Sequence, residues 1–183
     1  MSEYQYYHFL AVDRPLSERQ QAELRRISSR AQITARRMVN SYEWGDFEGD
    51  PVALVERYFD AYLYFANWGS RRLLLRVPAA RVPLMAVDSY QRDDADGSLT
   101  AHCSGAHTVI DLTSEDEDGT GEAWWVREAD WDDEDDNGAL GQLAGIRAEL
   151  CRGDLRALAV AGGAPAATAP QRALAAFLRL PSG

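Results

Sequence analysis

The chain has 183 residues, a formal net charge of -10 and 46% apolar residues, which suits one domain with a sizeable core. All 19 basic residues are arginine, so phosphate-loop NTPases, protein kinases and pyridoxal-phosphate enzymes, each of which needs a lysine, are excluded. No apolar run approaches the roughly 20 residues needed to span a bilayer, and Ser2 to His8 lacks the basic and apolar regions of a signal peptide, so a soluble cytoplasmic protein is expected.

Tyr4 to Val12 is aromatic and apolar on both alternating faces, which predicts a central strand. Asp13-Arg14-Pro15 turns the chain, and Ser17 with Gln20 forms a capping box for a helix to about Ser29. Ile33 to Trp44 alternates partially and predicts a second strand. Asp50-Pro51 opens a second helix, with proline at its first position. Val52 to Asn67 is apolar nearly all round, which predicts the most buried helix of the protein. Arg71 to Val77 reads as a third strand, Pro78 to Tyr90 as a short turn of helix, and Asp93 to Gly97 as a polar loop. Leu99 to Leu112 is a hairpin around Ser104-Gly105. Leu140 to Val160 has the spacing of one helix, weakened by Gly153, and Gln171 to Leu180 is a short amphipathic helix.

This order predicts an α+β single domain: a mixed β-sheet with helices packed mainly on one face, plus an acidic loop and C-terminal helices. Residues 1–112 form the α+β core, 113–138 an acidic Trp-containing loop, and 139–183 a C-terminal helical segment packing on the core. Cys103 and Cys151 form no C-x-x-C pair and read as ordinary thiols.

The charge is concentrated. Twelve carboxylates lie within the twenty-two residues from Glu115 to Asp136, opposed by Arg127 alone, so this window carries -11 and the remaining 161 residues sum to +1. Trp124, Trp125 and Trp131 sit inside it. A solvating tail has no use for large amphipathic rings, so the segment reads as one that docks. The candidate partner-binding residues are Trp124, Trp125, Trp131, Asp132, Asp133 and Glu134.

Asp133 to Gly138 matches the first half of a calcium loop, with Asp133, Asp135 and Asn137 as ligands for calcium or magnesium. The twelfth position is Ala144, so the closing bidentate glutamate is missing. A solvated acidic loop explains the same residues. His102 and His107 flank the hairpin turn as cross-strand neighbours, one ligand short of a metal site, and exposed histidines near a turn are the commoner case. Asp46, Glu48 and Asp50 read as turn residues and a helix N-terminal charge complement rather than catalytic carboxylates. Trp44-Gly45 and Trp68-Gly69 close structural elements, with Arg71 and Arg72 near enough to the second to stack on a ring. No nucleophile lies in an activating context, so no catalytic residue is assigned.

The first half contains Ser2-Glu3-Tyr4-Gln5-Tyr6-Tyr7, Asp13-Arg14-Pro15-Leu16, Tyr42-Glu43-Trp44-Gly45-Asp46-Phe47, Gly49-Asp50-Pro51, Tyr58-Phe59-Asp60-Ala61 and Ala66-Asn67-Trp68-Gly69. In these stretches the chain resembles a group of small bacterial proteins of unassigned function. The resemblance covers roughly residues 2–77. It implies a natural domain of bacterial source and no particular chemistry.

The expected function is a cytoplasmic, non-enzymatic interaction protein that docks a basic protein partner through its acidic Trp-containing segment. Direct nucleic-acid binding is not expected from this charge balance. The alternatives are a metal-binding protein or metal-dependent enzyme using Asp133, Asp135 and Asn137, a nucleic-acid-mimic inhibitor, and a structural subunit of a larger assembly.

Overall fold

The first strand, β1 (Gln5–Leu10), is buried at all six positions, so it must lie inside a sheet with a packed layer on each side. It does. A computed structural model, which describes residues 4–94, 96–115 and 138–178, places β1 third in an eight-stranded sheet.

The helix α1 (Glu18–Ile27) begins with the capping box of Ser17 and Gln20, both reciprocal hydrogen bonds being present. The expected strand from Ile33 to Trp44 is instead two, β2 (Gln32–Ile33) and β3 (Arg37–Tyr42). Between them the Thr34 hydroxyl accepts the backbone N–H groups of Arg36 and Arg37, each at 3.2 Å, and so turns the chain.

The expected long helix from Val52 to Asn67 is corrected in the same way. The helix α2 (Pro51–Arg57) is capped by the Asp50 side chain and stops at Arg57, and the chain continues as strand β4 (Ala61–Ala66). A segment that is apolar all round suits a buried helix and a central strand equally. Pairing of β4 with β1 on one side and β5 (Arg71–Pro78) on the other decides for the strand.

A short helix, α3 (Leu84–Asp88), leads to β6 (Arg92–Asp94), which occupies part of the expected polar loop. The strands β7 (Gly97–Ser104) and β8 (His107–Ser114) form the expected hairpin, with Gly105 and Ala106 as its loop. Gly97 has φ +152°, and a Cβ there would sit 2.3 Å from the Thr113 carbonyl oxygen. Gly97→Ala is expected to cost about 1–3 kcal/mol of stability, read as a lower urea midpoint at unchanged slope; a wild-type midpoint would overturn this register.

The C-terminal helices are α4 (Gly138–Cys151), α5 (Arg156–Ala161) and α6 (Ala169–Phe177). The single helix expected from Leu140 to Val160 is instead two, because Gly153, at φ +86°, separates α4 from α5. Its N–H donates to the Leu150 carbonyl and that of Asp154 to the Glu149 carbonyl, the paired bonds that close a helix with a left-handed glycine.

The strand order is β2-β3-β1-β4-β5-β8-β7-β6. Every pairing is antiparallel, so the α+β class stands but the mixed sheet does not. Helices also cover both faces rather than mainly one. Tyr6, Leu63, Leu73, Leu75, Ile110 and Leu112 pack with α4, α5 and α6. Alternate residues of the same strands, among them Phe9, Tyr62, Leu74 and Val109, pack with Leu24 of α1 and Leu54 and Val55 of α2. Sheet residues buried on both faces need two covering layers, and α1 and α2 supply the second. No helix among the described residues is long and apolar enough to cross a membrane.

Candidate functional site

The strands β3 and β4 both run antiparallel to β1, so the segments after them emerge at one end of the sheet, beside the start of β1. Trp44 follows β3 and Trp68 follows β4. Both rings are largely in water, at 71% and 45% exposure, which is unusual for the largest apolar side chain. The β4–β5 hairpin is held by reciprocal bonds between Tyr4 and Asn67 and turns through Gly69 at φ +107°.

The acidic segment starts at this same end. The Trp68 indole N–H donates to the Ser70 hydroxyl at 3.1 Å, and that hydroxyl donates to Glu115 Oε2 at 2.6 Å. The Glu115 backbone N–H donates to the Asp96 carbonyl. An exposed tryptophan is thus joined through one hydroxyl to the first carboxylate of the acidic segment. Acids of this end act on its tyrosines. Burial, the neighbouring Tyr7, Asp46 and Glu115 all raise the Tyr64 phenol well above its ordinary pKa, and burial with Glu43 raises that of Tyr4.

Trp124, Trp125, Trp131, Asp132, Asp133, Glu134, Asp135 and Asn137 all lie outside the described residues. The arginines beside Trp68 are committed elsewhere: Arg72 pairs with both carboxylate oxygens of Asp111, at 3.0 and 2.7 Å, and Arg71 donates to the Phe177 carbonyl. Asp46 accepts from the Gln5 amide and Asp50 caps α2, so each has a structural task.

His102 and His107 share one face of the hairpin but not one rung. The loop lies one residue later than its sequence suggests, so His102 faces Val109 and His107 faces Ser104. The two rings also have different partners. His102 Nε2 lies 2.6 Å from Glu56 on α2, and His107 Nδ1 lies 3.2 Å from Arg76 Nη2. Among the described residues no three His, Cys, Asp or Glu side chains gather as a metal site would require. Cys103 and Cys151 are free.

The opposite end of the sheet carries a second charged cluster that no motif announces. Asp60 opens β4; its Oδ2 accepts the backbone N–H groups of Val12 and Asp13 at 2.7 and 2.9 Å, and its Oδ1 accepts from Arg76 at 3.3 Å. Arg147 reaches over from α4, gives both terminal nitrogens to Asp13 at 2.9 and 2.7 Å, and gives Nε to the Arg76 carbonyl. The bidentate bond from Arg147 holds the Asp13 carboxyl below its ordinary pKa against the opposing effect of burial.

No family model, curated protein or solved structure matches this chain.

Proposed function

We propose that the protein is a non-enzymatic cytoplasmic interaction protein that docks a basic protein partner at the end of the sheet where Trp44 and Trp68 stand exposed and the acidic segment begins. The observation that carries this reading is the chain of hydrogen bonds from the exposed Trp68 through Ser70 to Glu115. It joins an aromatic anchor in water to the root of a segment carrying -11. Desolvated aromatic rings supply affinity in protein interfaces, and surrounding charge supplies rate of encounter and choice of partner. The same concentration of carboxylates repels phosphates, so the partner is a cationic protein surface and not a nucleic acid.

The test is capture of the partner by the tagged protein at low ionic strength, with its identity and mass read by native mass spectrometry. A single basic protein is expected, lost as salt is raised. Trp124→Ala, Trp125→Ala and Trp131→Ala together should abolish its capture while leaving thermal unfolding unchanged, and Trp68→Ala should weaken it. Capture of the same protein, undiminished, by the triple variant would overturn the docking role of this segment.

A further inference from the structure

Between the turn after β1 and the start of β8 lies an open cavity of about 250 Å3, at the end of the sheet remote from the tryptophans. Its walls include Asp13, Arg14, Arg57, Asp60, Arg76 and His107. Three guanidinium groups thus face two carboxylates, and both carboxylates are already engaged. Asp13 gives one oxygen to each terminal nitrogen of Arg147. Asp60 accepts two backbone N–H groups on one oxygen and Arg76 on the other. Each of the four carboxylate oxygens thus has a partner already, while three guanidinium groups line the cavity.

Arg76 shows the imbalance most clearly. Its bond to Asp60 is long, at 3.3 Å, and its Nε is buried with no hydrogen-bond partner. Its other terminal nitrogen points at His107 Nδ1. A guanidinium can only donate, so Nδ1 accepts and the neutral ring carries its proton on Nε2, as one more donor. Burial and the charge of Arg76 together hold His107 below its ordinary pKa, although Asp60 and Asp13 oppose them. Arg57 lies over the ring of Tyr58 at 4.9 Å, and it shares Glu23 with the Tyr58 hydroxyl and Arg19, so it is only weakly paired. Arg14 stands exposed on the rim.

We infer that this cavity binds the oxyanion of a small metabolite, a phosphate monoester or a carboxylate, against Arg76 and the His107 Nε2–H, with Arg57 and Arg14 closing on it from the rim. Guanidinium groups bind either anion through parallel N–H donors, and a cavity of this volume holds a small polar molecule and no more. An anion here would accept from the terminal nitrogens of Arg76 and offset the charge that opposes protonation of His107.

The three histidines provide the test, because only His107 touches the cavity. Full-length protein labelled with nitrogen-15 is titrated at neutral pH with inorganic phosphate in one arm and acetate in the other, at constant ionic strength, with the imidazole resonances followed by NMR. Saturable movement of His107, with His8 and His102 still, is the expected result. Response to phosphate alone assigns a phosphate ester; response to acetate alone assigns a carboxylate. Arg76→Gln should abolish the response. Since Arg76 also holds Asp60, the exposed pair Arg14→Gln and Arg57→Gln is made separately and should weaken binding about fivefold to tenfold without altering the melting temperature. A His107 signal that neither anion moves, equal movement of all three histidines, or a rim variant that titrates like the wild type would overturn the site.

Discussion

Asp60→Ala is expected to remove about 3–5 kcal/mol of stability, the cost of breaking a buried charge cluster by taking away one member. The side chain of Asp60 is 5% exposed, as is that of Arg147, which lies 3.6 Å away. Alanine would leave the Val12 and Asp13 N–H groups without their acceptor, and Arg76 and Arg147 facing each other across the end of β4 with half of their counter-charge. For a chain of this size the loss corresponds to a fall in melting temperature of roughly 10 °C. Asp60→Asn keeps an oxygen for the two amides and removes only the charge, so it should fall between the wild type and alanine. Asp154→Ala, which breaks the Arg156–Asp154 pair at the surface, is the control and should change little. Urea denaturation of the three variants decides the matter: if Asp60→Ala unfolds within about 1 kcal/mol of the wild type, the cluster does not hold this end of the sheet.

The reach of the sequence follows from how local each signal is. The two-sided burial of β1, the Ser17–Gln20 capping box and the Asp50-Pro51 helix start are written within a few residues, and each reads correctly in isolation. The break between α2 and β4 is not local. Tyr58, Tyr62 and Tyr64 satisfy helix and strand spacing alike, and only the presence of β1 and β5 on either side selects the strand. Trp68 is conspicuous in the sequence, but its link to the first residue of the acidic segment depends on β5 and β8 being adjacent, which joins Ser70 to Glu115 across 45 positions. The charged cavity is the extreme case. Asp13 and Arg147 are 134 residues apart, neither belongs to a recognisable motif, and Asp60 falls inside a stretch whose periodicity suggests a helix. Hydrophobic pattern predicts which residues are buried; it says nothing about which buried charges meet.

Mild acidification is expected to destabilise the protein through His8. This residue lies on β1 between Val39 and Leu63, is 2% exposed, and has Nε2 buried without a hydrogen-bond partner. Its Nδ1 lies 3.0 Å from the Tyr6 hydroxyl. Burial, reinforced by the charge of Arg37, lowers its pKa from 6.5 to about 3. The unfolded chain therefore takes up a proton as pH falls through 6.5, while the folded chain does not until about 3. The neutral ring costs nothing above that window. Within it, each pH unit removes about 1.4 kcal/mol, or about 2 kcal/mol by pH 5. His107, also held below its ordinary value, acts with the same sign, whereas the lowered carboxyl of Asp13 acts only in stronger acid. Urea unfolding between pH 7 and pH 5, on the order of two units apart, separates the two histidines. His8→Gln should remove the larger part of the slope and His107→Gln the remainder. If the His8→Gln protein loses as much stability on acidification as the wild type, then His8 accepts its proton in the folded state, and the enclosure of β1 between two helical layers is looser than its burial implies.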